Sequence, residues 1–183
     1  MEFIKIVILG VLAACVYGIL QDQVTARVCV EYFTVGHPPI FHTQSPTLLA
    51  FGWGIVATWW VGLPLGILVG IAARVGGWPR LTWKDLLRPI AIALLAMGVI
   101  SAAAGITGYF AAKAQWVWLI EPLGSRIPPE KHPAFLADLW AHVAAYGAGA
   151  LAGMGLCICS IIARGMRAVS NAKAAAPPEK STR

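Results

Sequence analysis

Apolar residues along this chain gather into four long runs, Phe3 to Leu20, Leu48 to Ala73, Pro89 to Ala112 and Leu139 to Ala163, with the polar residues collected between them. At a helical rise of about 1.5 Å per residue, each run matches or exceeds a hydrocarbon layer of ~30 Å. Lipid offers the backbone no hydrogen bonds, so a spanning segment has to satisfy its own, which selects helices. The runs are too continuously apolar, and too rich in Ala and Leu, for the alternating strands of a membrane barrel. The pattern predicts an all-α membrane protein: a four-transmembrane-helix bundle over residues 1–166, followed by a disordered basic tail at 167–183.

Within the runs, small residues recur at helical spacing. Gly62, Gly66 and Gly70 stand four apart in the second, with Pro64 among them, and Gly149 and Gly153 continue the device in the fourth between Ala145 and Cys157. Four-residue spacing stacks them on one face and lets another backbone approach closely. The seams predict a compact bundle and leave open whether the neighbour is the same chain, a second copy or another membrane protein. Pro64 removes a backbone donor and predicts a kink. Trp59 and Trp60, mid-span, are expected to pack against a neighbouring helix.

The connections carry start and stop signals. Ser45 before Pro46 suits the start of the second span. Thr82 followed by Asp85 marks a helix start, read as a short interfacial stretch ahead of Pro89. Gln21 to Phe33 contains no Gly or Pro, so the first helix is expected to project past the membrane. That would place Arg27 and Glu31 at i and i+4, a spacing suited to an ion pair. Gly36, His37, Pro38 and Pro39 close that segment.

Charge adds an orientation. Hydrophobic residues make up 58% and charged ones 12%, with a mean hydropathy of +0.73, which removes the soluble classes. The middle loop holds Arg74, Arg80, Lys84 and Arg88, and the tail holds Arg164, Arg167, Lys173, Lys180 and Arg183. With Lys5 these make ten of the 14 Lys and Arg, leaving Arg27, Lys113, Arg126 and Lys131 for the other two loops. The positive-inside bias then places both termini in the cytoplasm. The net charge of +6 reads as topogenic and facing the lipid bilayer, with no nucleic acid partner implied. Trp53, Trp116, Trp118 and Trp140 near outer span ends, and Trp78 and Trp83 near inner ones, fit interfacial anchoring.

The run from Asp22 to Pro38, Asp-Gln-Val-Thr-Ala-Arg-Val-Cys-Val-Glu-Tyr-Phe-Thr-Val-Gly-His-Pro, together with Gly52 to Gly54 and Ala57 to Trp60, resembles a group of uncharacterised bacterial integral membrane proteins. The resemblance covers about the first half of the chain. It implies a bacterial inner-membrane location and supplies no catalytic residue.

Candidate chemistry falls on the outer side, where all four histidines lie: His37, His42, His132 and His142. Asp138 and His142, at i and i+4, could present two ligands on one helix face. Glu31, His37, Asp138 and His142 form the candidate outer-side site, with no metal or cofactor named by the pattern and the HExxH arrangement absent. His142 is the ionisable group nearest the hydrocarbon in the fourth span, a functional candidate by its cost there. The other spans hold little charge, which weighs against a proton relay or a multi-ion transporter. Cys157 and Cys159, two apart on a helix, point away from each other and make no dithiol. Leu12 to Cys15 matches a lipoprotein processing site, yet apolar sequence continues past Cys15, so an uncleaved first span is expected. The residues leave two function classes. One is a non-enzymatic scaffold, accessory subunit or small-ligand binder with its working surface outside; the other is a metal-dependent enzyme or transport component using the outer His and acidic residues.

Overall fold

The computed structural model describes residues 1–175, which form seven α-helices and one 3-10 turn, with no strand among the described residues. Four helical stretches are long and apolar enough to cross a membrane: Glu2–Val28, Pro46–Arg74, Trp83–Lys113 and Pro129–Ala175. They contain α1 (Glu2–Val28), α3 (Pro46–Val56) with α4 (Trp59–Arg74), α5 (Trp83–Lys113) and α7 (His132–Ala175). Short helices α2 (Glu31–Thr34) and α6 (Leu123–Arg126), and the 3-10 turn at Pro129–Lys131, lie in the two loops at the end opposite the termini. We call that the histidine end and the other the terminal end.

The glycine seam is intramolecular. A Cβ added at Gly62 would lie 2.7 Å from the Gly10 carbonyl oxygen and one at Gly66 would lie 2.9 Å from that of Val7, while one at Gly70 would meet the Phe3 ring at 2.8 Å. The residue numbers fall on α1 as they rise on α4, so the two helices run antiparallel with backbones in near contact. Their small residues permit the approach that dispersion needs where lipid offers no hydrophobic gradient. In the fourth span the same spacing does something else: Gly149 faces the Met97 side chain of α5, and Gly153 faces that of Leu65 in α4. Here glycine makes room for a neighbour's side chain. Helix α5 packs most extensively along α7, and α4 and α7 join the two pairs.

Buried apolar side chains form two clusters, one at each end. Tyr32, Phe33, Trp53, Leu119, Ile127 and Phe135 are among those closing the histidine end. Ile6, Val69, Ala73, Leu81 and Leu86 close the terminal end. Among the described residues no such cluster fills the middle, where Gly and Ala line the helix contacts.

Several expectations change. Helix α1 stops at Val28, because Cys29 takes an extended conformation (φ −152°, ψ 97°). Arg27 and Glu31 therefore no longer share a helix face. Arg27 instead donates to Gln23 and to the Thr47 hydroxyl, and Glu31 lies 3.9 Å from Lys131. The second span is interrupted at Ala57 and Thr58, upstream of Pro64, which sits inside α4. Tyr146 donates to the Ala57 carbonyl at 3.1 Å, supplying a partner at the interruption. Trp59 and Trp60 are 48% and 55% exposed on the bundle surface, not packed inside it. The Thr82 and Asp85 signal starts α5 itself, Asp85 accepting from the Thr82 N–H at 2.7 Å, and the helix runs on through Pro89 without a separate interfacial segment. Helix α7 continues through Ala175, past the boundary expected at residue 166; the remainder of the expected tail, 176–183, lies outside the described residues.

Arg164 was legible only as a topogenic charge, yet it is 4% exposed. Its guanidinium donates to the carbonyls of Ala72 at 2.7 Å, Pro79 at 3.0 Å and Trp78 at 3.2 Å. Ala72 belongs to the last turn of α4, where carbonyls lack helical partners and a cation is favoured. One side chain thereby ties α7 to the end of α4 and to the loop behind it.

Candidate functional site

Gly18, Asp22, Thr25 and Ala26 are buried on one face of α1. Because α1 continues beyond the apolar run, Asp22 is carried into the bundle. There its Oδ1 lies 3.0 Å from Nε2 of His142 on α7. Nδ1 of the same imidazole lies 2.8 Å from the Asp138 carbonyl oxygen, one turn back. A carbonyl only accepts, so Nδ1 must carry a proton and donate. The Nε2 to Asp22 contact then contains a single proton, held either by a neutral carboxyl donating to imidazole or by an imidazolium donating to carboxylate. Either way the pair is neutral as a whole. That satisfies what an isolated charge at this depth could not.

Helix α2 seats Tyr32 over this pair. Its ring stacks on His142 with centroids 4.6 Å apart at 27°, and lies 4.9 Å from the His37 ring. His37 is held in turn by Trp53, with centroids 4.6 Å apart, and by Nδ1, which donates to the Tyr32 carbonyl at 2.7 Å. Burial, and after it the Asp22 charge, raises the Tyr32 phenol above its ordinary value, so it remains a hydroxyl. Neither the Tyr32 hydroxyl nor Nε2 of His37 has a hydrogen-bond partner among the described residues.

These groups form the polar end of a narrow cavity of about 180 Å³. Its walls pass from Asp22, His37 and His142 through Tyr17 and Thr58 to Gly10, Leu65 and Ala152, ending at Ile6, Val69 and Leu156. A second, wider groove of about 720 Å³ runs between α1 and α5, with Gln21, Ser101 and Asp138 among its lining. Ser101 bridges the helices there, 3.1 Å from Gln21 and 3.0 Å from the Ala141 carbonyl.

Of the four candidate residues, His37 and His142 come together at one cavity. Glu31 does not line it; its carboxylate accepts a 3.3 Å hydrogen bond from the Cys29 thiol and lies 3.9 Å from Lys131. Asp138 offers His142 its backbone carbonyl, while its carboxyl lies beside Thr25, where Oδ2 and the Thr25 hydroxyl each lack a well-formed hydrogen bond. The i, i+4 spacing thus serves the backbone instead of a two-ligand metal face. Among the described residues, no three His, Cys, Asp or Glu side chains converge as metal ligands. Asp22 was not singled out from sequence. The signal was the helical spacing of Asp22, Thr25 and Ala26 with Gly18, the first three lying in the stretch from Gln21 to Phe33 that is free of Gly and Pro.

Cys29 is 1% exposed. Burial, then the neighbouring Glu31 carboxylate, pushes its thiol up to about 12. At pH 8 iodoacetamide should therefore modify Cys29 on the order of a thousandfold more slowly than a free cysteine, since the thiolate is the nucleophile. Peptide mapping of the alkylated protein measures this directly. Comparisons of the chain with protein-family models, with curated proteins and with solved structures find no match.

Proposed function

We propose that this chain is a multi-pass protein of the bacterial inner membrane, both termini cytoplasmic, which binds a small amphipathic ligand at the histidine end, on the outer side, without catalysing a reaction. The observation that carries the reading is the cavity, whose polar end holds Asp22, His37 and His142 and whose remainder is apolar. Ligand sites are commonly concave and mostly apolar, with a few placed polar groups that set orientation. Hydrogen bonding at one end and hydrocarbon at the other suit an amphipathic molecule. The Lys and Arg distribution supports the orientation, so reporter fusions after Arg80 and after Ala175 should both behave as cytoplasmic; an external reading at either contradicts it.

Binding is tested with 4-fluorobenzyl alcohol, small enough for a cavity of about 180 Å³ and able to donate and accept one hydrogen bond. An apolar cavity of ~150 Å³ accepts benzene, which sets the scale. Fluorine NMR of protein in lipid nanodiscs should show saturable binding that His142→Ala weakens about tenfold, the worth of one good hydrogen bond. Binding that His142→Ala and Asp22→Asn both leave unchanged contradicts the assignment of the site.

A further inference from the structure

The charge balance at the polar end narrows the ligand class, an inference that rests on reading the cavity as the ligand site. Asp22 Oδ1 lies 3.0 Å from Nε2 of His142, with one proton between them because Nδ1 is committed to the Asp138 carbonyl. While that proton stays, the pair is neutral. Its loss would leave two acceptors facing each other and a single negative charge, which is costly at this depth without a counter-charge. The bundle supplies none. No Lys or Arg is among the described residues lining the cavity, whose other titratable groups are Tyr17 from α1, Tyr32 from α2, His37 from the turn after it and Tyr146 from α7. Helices α3, α4 and α5 bring only uncharged side chains to the lining. Asp138, the neighbouring acid on α7, could add only negative charge.

A cation that carries its own hydrogen-bond donors answers this deficit. An ammonium head offers three N–H groups and accepts none. The acceptors awaiting it are the Asp22 carboxylate, Nε2 of His142 and Nε2 of His37, whose Nδ1 is already held by the Tyr32 carbonyl. Phe33, Trp53 and Tyr146 line the same cavity, and a positive group desolvated among aromatic rings gains from their quadrupoles. An anionic head finds no fixed positive partner. We propose that the polar end binds a small amphipathic ammonium ion in exchange for the proton that Asp22 and His142 share. A neutral pair and a free cation become an ion-paired complex and one proton in water, so charge balances.

The test compares 4-fluorobenzylamine with 4-fluorobenzyl alcohol, similar in size and different in head, by fluorine NMR of the protein in lipid nanodiscs at pH 6, 7 and 8. The amine is an alkyl ammonium across that range. Releasing one proton per ligand raises affinity about tenfold per pH unit while the free pair keeps its proton. Amine affinity should therefore rise about tenfold from pH 6 to pH 7, with that of the alcohol unchanged. Calorimetry at pH 6 in two buffers of different ionisation enthalpy should count close to one proton released per amine bound. Asp22→Asn, which keeps the shape but cannot become negative, should abolish both the release and the pH dependence. The measurements on native protein decide the matter should this variant not fold. Failure of the amine to bind, binding without proton release, or release that Asp22→Asn preserves each overturns the exchange. If the alcohol still binds in those cases, the proposed function stands; absence of binding by either probe removes both.

Discussion

Arg164→Leu is expected to destabilise the bundle by about 3 kcal/mol or more, the largest effect of any single substitution at the terminal end. The side chain is 4% exposed and donates to three carbonyls, those of Ala72, Trp78 and Pro79. Leucine keeps the apolar stem but strands three acceptors, each costing roughly 1–3 kcal/mol when buried without a donor. Arg164→Lys should recover only part of the loss, because an ammonium lacks the planar fork that reaches separated acceptors. Arg167 provides the contrast: it pairs with Asp85 at 2.6 Å, but its side chain is 46% exposed. Arg167→Leu should therefore cost within about 1 kcal/mol. Thermal melting in nanodiscs compares the three, and equal midpoints for the Arg164 and Arg167 leucine variants would show that the buried clamp contributes nothing special.

Gly66→Leu is expected to cost about 1–3 kcal/mol or more, through overlap instead of lost bonding. A Cβ at Gly66 would sit 2.9 Å from the Val7 carbonyl oxygen and 3.1 Å from its Cα. Those are backbone atoms, so no rotamer change relieves the overlap and α1 must move away from α4. Gly98→Leu is the matched control, since a Cβ there meets nothing within 4 Å. A Gly66→Leu protein that melts with Gly98→Leu and wild type would mean that α1 and α4 do not approach as described.

How far the sequence reaches depends on which force sets each feature. Span number and the glycine seam follow from solvent and sterics, which act locally: continuous apolar runs must be helices in lipid, and glycines four apart must share a face. The contact between Gly66 and Val7, in contrast, depends on which neighbour arrives, and spacing alone does not name it. The site was half legible. His142 stood out by the cost of an ionisable group at depth, and His37 as a ring in a turn, but Asp22, on the expected extension of the first helix beyond its apolar run, carried no sign of which neighbour it would meet. Only the continuation of α1 to Val28 brings it to His142, 120 residues later. The interruption at Ala57 and Thr58 left no breaker in the sequence, because Pro64 comes more than a turn after it. Its carbonyl partner, Tyr146, comes from another helix.

The central claim is that the Asp22 and His142 pair forms the polar end of a ligand cavity. The most direct measurement is the ¹⁵N spectrum of selectively labelled histidine in nanodisc-embedded protein, with His142 assigned by its loss in His142→Ala, during titration with 4-fluorobenzyl alcohol. Nδ1 should appear protonated throughout, held by the Asp138 carbonyl, while Nε2 shifts in step with binding and responds to Asp22→Asn. Saturation of the protein by the alcohol with no change at Nε2 of His142 would contradict the account.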